Sequence, residues 1–136
     1  MPYNPLLVTC FDGLVEEKHP YGFIAYNVCK EMIKEDSSAE KLIDLLTKLV
    51  WPLRTALSNK SEQINERALE ILQLLSEKVG SHLNPHVKNL VTPIKKHMTI
   101  KKLKEKAINT LRALEDNGGQ EVSKVIKAAI PTYSNN

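Results

Sequence analysis

Leu49-Val50-Trp51-Pro52-Leu53 returns forty-one residues later as Leu90-Val91-Thr92-Pro93-Ile94, with the apolar positions and the proline in the same order. A second pairing follows at an offset of thirty-nine: Glu66-Arg67-Ala68-Leu69 and Leu72 recur as Glu105-Lys106-Ala107-Ile108 and Leu111. Upstream a fainter copy stands forty-three residues back, where Leu6, Leu7 and Leu14 match Leu49, Val50 and Leu57. In that copy Ala25, Val28, Cys29 and Met32 match Ala68, Ile71, Leu72 and Leu75. The chain reads as one unit written three times.

Each unit is helical. Leu42, Ile43, Leu45, Leu46, Leu49, Val50, Leu53 and Leu57 follow the spacing of a buried helix stripe and not the alternation of a strand. The same holds for Ile64, Ala68, Ile71, Leu72, Leu75 and Val79, for Val87, Leu90, Val91, Ile94 and Met98, and for Leu103, Ala107, Ile108, Leu111 and Leu114. Leu6, Leu7, Cys10, Phe11 and Leu14, then Phe23, Ile24, Val28 and Met32, give two shorter stripes split by His19-Pro20. A last stripe, Val122, Val125, Ile126 and Ala129, stops before Pro131. Turn chemistry agrees with these limits. Ser61 is placed to cap one helix, Ser37 or Ser38 another, and Pro20 to open a third. Gly80 and Asn117-Gly118-Gly119 are placed as stops. Pro52 and Pro93 fall inside apolar runs, where a missing N–H bends a helix unless it sits in the first turns.

A period near forty built from helix pairs is the spacing of HEAT and armadillo repeats, in which stacked neighbours bury what one pair cannot. The expected architecture is an all-α superhelix of about seven helices in a single domain over 1–136. Its repeats fall near 5–35, 38–80 and 84–118, with a C-terminal helix over 120–130.

Composition narrows the function. With 42% apolar and 26% charged residues among 136, the chain is globular in type. It holds no apolar run long enough for a bilayer and opens without the basic start of a signal peptide, so a soluble cytoplasmic protein is expected. Two cysteines without CxxC spacing argue against a disulfide framework or a zinc knuckle, and no glycine-rich phosphate loop occurs. Charge is uneven: residues 1–45 carry eight acidic and four basic side chains, and the remainder eight acidic and fifteen basic. The excess gathers at Lys95, Lys96, Lys101, Lys102, Lys104 and Lys106, around a turn expected at Met98-Thr99-Ile100. Such a cluster suits an acidic partner, steered over about a Debye length of ~8 Å. Without arginines or interleaved aromatics it does not suit nucleic acid.

Other candidates are weaker. His82 and His86 have zinc spacing but are broken by Pro85 and lack a third ligand, so they read as turn residues. Cys10 and Cys29 fall on apolar stripes and read as buried thiols, with no group to activate either. No catalytic, cofactor or metal site is expected. Trp51 reads as core packing against a neighbouring repeat. Tyr21 and Tyr133 either seal the ends of the stack or make contacts. A protein adaptor would use the groove lined by the second helix of each pair, around Asn65, Glu66, Glu70, Gln73, Glu105, Asn109 and Arg112.

Asp12-Gly13-Leu14, Lys18-His19-Pro20-Tyr21, Gly118-Gly119 and Ile130-Pro131-Thr132-Tyr133 together resemble the parkin co-regulated gene protein family, in order and separation, across nearly the whole chain. The PACRG-like branch is the most similar, since the long insertion between the third pair of helices is replaced here by the short Met98-Thr99-Ile100 link. The long N-terminal extension common in that family does not precede Met1, and the chain is expected to correspond to the helical core. The resemblance implies an armadillo/HEAT-like domain without enzymatic activity or cofactor. It also implies association with tubulin and microtubules, as in the inner junction of ciliary and flagellar doublets, beside other axonemal proteins including a small β-rich one. It marks His19, Pro20, Tyr21, Pro131 and Tyr133 as contact candidates.

Overall fold

The computed structural model describes residues 3–15, 21–35, 38–131 and 133, all helix or connecting turn with no strand among them. The helices are α1 (Tyr3–Asp12), α2 (Tyr21–Lys34), α3 (Ser38–Leu57), α4 (Glu62–Val79), α5 (Asn84–His97), α6 (Lys101–Gly118) and α7 (Gln120–Ala129). Short 3-10 turns follow α1 at Gly13–Val15 and α4 at Gly80–Leu83. Consecutive helices pair as α1 with α2, α3 with α4 and α5 with α6. Beyond these pairs, α1 packs on α3, α3 on α5 and α5 on α7, while α2 packs on α4 and α4 on α6. Odd-numbered helices thus form one layer and even-numbered helices the other.

The recurring residues occupy the space between the layers. Leu49, Val50 and Leu53 of α3 are buried, as are their counterparts Leu90, Val91 and Ile94 of α5; Ala68 and Leu72 of α4 correspond to buried Ala107 and Leu111 of α6. One hydrophobic cluster runs from Phe11 to Tyr133. Polar rungs fix the register of α6 on α4. Lys106 Nζ meets Glu66 Oε1 at 3.2 Å, the Thr110 hydroxyl donates to Leu69 O at 3.3 Å, and Asn117 Nδ2 donates to Ser76 Oγ at 3.3 Å. These pairs are separated by forty or forty-one residues, the period of the sequence.

Helix ends follow the expected chemistry. The Ile64 N–H donates to Ser61 Oγ at 3.4 Å, and Gly80 closes α4 with φ of 55°. Gly119 closes α6 with φ of 83°, a left-handed conformation that costs glycine least. Gly118 is needed for a different reason: a methyl there would strike Val122 and lie 2.5 Å from Asn84 Oδ1. Ser37 and Pro20 lie outside the described residues. Pro52 and Pro93 lie well inside α3 and α5. A proline at 93 cannot donate to the carbonyl four residues back. That orphaned carbonyl, Asn89 O, instead accepts from Arg54 Nε at 3.2 Å, so the missing bond ties α5 to α3.

Three expectations are corrected. Trp51 is not core: it is 55% exposed, because the buried stripe Leu49, Val50, Leu53, Ala56 and Leu57 leaves position 51 on the outer face. Its counterpart Thr92 is exposed too. Phe23 and Ile24, 48% and 51% exposed, are also outside the core, and α2 buries Tyr26, Cys29, Met32 and Ile33 instead. Asn65 does not line a groove. It is buried, and its amide nitrogen reaches Ala56 O, Leu57 O and Asn59 O at 3.0, 3.1 and 2.9 Å, holding the end of α3 onto α4.

Candidate functional site

The turn between α5 and α6 falls at Met98-Thr99-Ile100, and the lysines gather around it. Lys95 and Lys96 are exposed in the last turn of α5, where cations suit the negative end of the helix dipole. Lys101, Lys102 and Lys104 are exposed at the opposite kind of end. α6 starts with no acidic residue in its first turn and no side-chain cap on its N–H groups, at the positive pole of its dipole. α4 shows the ordinary solution, a Ser61 cap followed by Glu62. Helix stability therefore does not account for the lysines of α6. Lys106 differs from the rest: it is half-buried and paired with Glu66. Among the described residues none of the other five is held in an ion pair.

The turn between α3 and α4 lies beside this one. His97, at the end of α5, is buried, and its Nε2 donates to Leu57 O at 2.7 Å, pinning the two turns together. Burial lowers its pKa below the usual 6.5, the bond to Leu57 opposes that shift, and Lys96 adds to it. The neutral ring with its proton on Nε2 is the form that fits. Arg54 and exposed Lys60 extend the positive charge of α5 and α6 onto this neighbouring turn.

The even-numbered layer offers a different surface. Arg67 stacks over the rings of Phe23 and Tyr26 at 5.5 and 5.6 Å, and Lys30 over Tyr26 at 4.2 Å. The Tyr26 hydroxyl donates to Glu70, and burial, reinforced by that carboxylate, raises the phenol's pKa well above its ordinary value. Glu66 and Glu70 are thus both engaged within the chain, while Glu105, Asn109 and Arg112 are exposed and Gln73 is half-buried. In the sequence Phe23 is read only as a core position and Arg67 only as part of the repeat, and the stacking that joins them to Tyr26 depends on how α2 packs on α4.

The remaining candidates are placed as follows. Cys29 is buried, Cys10 half-buried, and the two thiols hydrogen-bond to one another; burial raises the pKa of each, which keeps them protonated. His82 lies in the 3-10 turn and His86 in α5, and among the described residues no group of three metal-ligating side chains converges. His19 and Pro20 lie outside the described residues, and Tyr21 begins α2. Pro131 is exposed, whereas Tyr133 is only 5% exposed and folds into the core. Burial, followed by the Glu115 carboxylate, pushes the Tyr133 hydroxyl to about 12. Gly13 approaches Ala25 so closely that a methyl would sit 3.1 Å from its Cβ, and Leu14 is fully buried. Gly13, Leu14, Gly118-Gly119 and Tyr133 therefore take part in close packing and chain reversal, while Asp12 is exposed.

Two layers of antiparallel helix pairs with a lysine-crowded turn define a helical protein whose distinctive surface chemistry is cationic. No described helix is long and apolar enough to cross a membrane. A family model described as Parkin co-regulated protein matches residues 1–135. The Parkin coregulated gene protein homolog of Mus musculus is 30% identical over 151 residues, which cover 98% of this chain and 62% of that protein. The chain belongs to the parkin co-regulated protein family and spans somewhat under two thirds of that relative's length.

Proposed function

We propose that this protein is a non-enzymatic scaffold of the armadillo/HEAT type that binds microtubules through the basic end at the α5–α6 turn. The setting proposed is the cytoskeleton of a ciliary or flagellar axoneme, beside other axonemal proteins. One observation carries the reading: Lys101, Lys102 and Lys104 open α6 where its own dipole disfavours them. Sites that break a local rule without a local gain are where function is to be sought. The acidic surface of tubulin would supply what α6 lacks, anions against lysines and open N–H groups together. Arg54 and Lys60 widen the contact, and the family supports a binding role over a catalytic one.

Co-sedimentation with microtubules tests this. Binding should weaken as salt is raised and disappear when Lys101, Lys102 and Lys104 are all changed to Glu. Undiminished binding by that variant refutes the assigned surface. A second reading, a protein adaptor working through the even-numbered layer, is favoured by the exposure of Phe23 and Ile24. Under it Phe23→Ala and Ile24→Ala would abolish partner binding, and the lysine reversals would not.

A further inference from the structure

The odd-numbered layer carries a feature that charge alone does not use. Trp51 stands 55% exposed in the middle of α3. It is the sole tryptophan of the chain. Its ring is held from one side by Arg54, whose guanidinium lies 5.7 Å from the ring. Arg54 is itself fixed by the carbonyl that Pro93 leaves vacant. The Thr55 hydroxyl donates to Trp51 O at 3.0 Å. A large apolar ring is therefore displayed on a braced helix.

One hollow borders it, and a second, sharing Thr55 with the first, lies further along toward the end of α3. The first, of about 260 Å³, is lined by Asp12, Trp51, Pro52 and Thr55; the second, of about 480 Å³, by Arg54, Thr55, Ser58, Asn59 and Lys60. The first takes a side chain, and the second leads toward the basic end. The surroundings are positive. α1, α3, α5 and α7 together carry eight basic and four acidic side chains, one of the four being Asp12 at the smaller hollow, whereas α2, α4 and α6 carry nine and eight. Lys95 stands on α5 where Arg54 stands on α3, one repeat along. Tryptophan and arginine are the residue types over-represented at the energetic centres of protein interfaces. A braced pair beside a side-chain-sized hollow has the anatomy of such a centre.

We propose that Trp51, Arg54 and the two hollows anchor an acidic segment of a partner protein bearing one large apolar side chain. The apolar side chain packs on Trp51 in the smaller hollow, and the carboxylates run past Arg54 and Lys60 toward Lys95 and Lys96. The segment's charge rests on the reading of the basic end given above; its apolar anchor does not.

The single tryptophan makes the test direct. The probes are two synthetic oligoglutamate peptides, one with a central leucine and one with alanine there. On binding the leucine peptide, Trp51 emission should shift to the blue and lose its quenching by acrylamide. That peptide should bind at least about tenfold more tightly than the alanine one. In Trp51→Ala, followed by anisotropy of labelled peptide, this preference should collapse; because the side chain is exposed, the variant should keep the wild-type urea midpoint. Unchanged emission at saturation, or equal binding of both peptides by the wild type, overturns the anchor. In Lys101→Glu/Lys102→Glu both peptides should weaken together with their ratio preserved. A variant that binds both as well as the wild type defeats the basic-end reading and leaves the Trp51 anchor to its own ratio.

Discussion

Reversing Lys102 to Glu should make the protein more stable and worse at binding, which is an uncommon pairing for a surface substitution. Position 102 lies in the first turn of α6, exposed, with no acidic neighbour in that turn and no side-chain cap before it. Removing a cation from the positive pole of a helix gains about 0.3–1 kcal/mol, and placing an anion there gains a similar amount. A glutamate at 102 would also precede Lys106 by four residues in the favoured order, worth about 0.3–0.5 kcal/mol. That last gain is reduced because Lys106 already holds Glu66 at 3.2 Å. Against these gains, the substitution loses the attraction of Lys102 for Glu105 three residues on and replaces it with repulsion, about 0.2–0.5 kcal/mol each. The net expectation is therefore about 0.5–1 kcal/mol at low ionic strength, shrinking as salt is added. Lys95→Glu gives the opposite sign. It puts an anion at the negative pole of α5 and should cost about 0.5–1 kcal/mol. Urea unfolding at two salt concentrations reads both effects, with unchanged slopes certifying that the folded states are comparable. Microtubule co-sedimentation reads the other half, and there both variants should bind less. A destabilised Lys102→Glu refutes the dipole argument on which the functional reading depends. Equal binding by both variants and the wild type refutes the assignment of the surface.

Other expectations concern the framework that presents this end. Asn65→Ala should cost about 2–4 kcal/mol, because carbonyls at the end of α3 lose their donor in a place where water is excluded; Asn65→Asp, which sets a carboxylate against them, should cost more. Urea midpoints decide it, and an aspartate as stable as the native residue would contradict the assignment. His97 is held below its usual 6.5 by burial, so on acidification the unfolded chain takes up the proton before the folded one does. Stability should be complete above 6.5, decline between 6.5 and the lower folded value, and level off beneath it. His97→Gln, which can still donate to Leu57 O, should flatten that slope in urea titrations from neutral to mildly acidic pH. Gly118→Ala should cost about 1–3 kcal/mol through the clash with Val122 and Asn84, measured as a lowered melting temperature.

The helices were legible because burial on one face imposes a period that few substitutions disturb, and because Ser61, Gly80 and Gly119 punctuate it with chemistry of their own. The outward positions were not. Trp51 and the Phe23-Ile24 pair are apolar enough for a core, and hydrophobicity says which residues can be buried but not which of two overlapping stripes meets a neighbour. The repeat itself held the missing clue, since Trp51 pairs with Thr92, and a polar residue in one copy argues against burial in the other. Asn65 was misplaced for the converse reason. A polar side chain suggests solvent until one asks which carbonyls a helix leaves open at its end. Of the basic end, the lysines and the turn were readable from spacing, but the engagement of Lys106 with Glu66 depends on how the helix pairs stack.

The rungs between α4 and α6 do more than brace two helices. With Glu66, Leu69 and Ser76 each matched to one residue of α6, that helix cannot slip past α4 by a helical turn without breaking all three. Neighbouring helices lie about 8–10 Å apart, so the edge bearing the turns is graduated in steps of fixed length. On the microtubule partner proposed above, such an edge would work as a ruler: it would accept only the alignments whose marks coincide with the polymer's own lattice, and selectivity would arise from commensurate spacing as much as from charge.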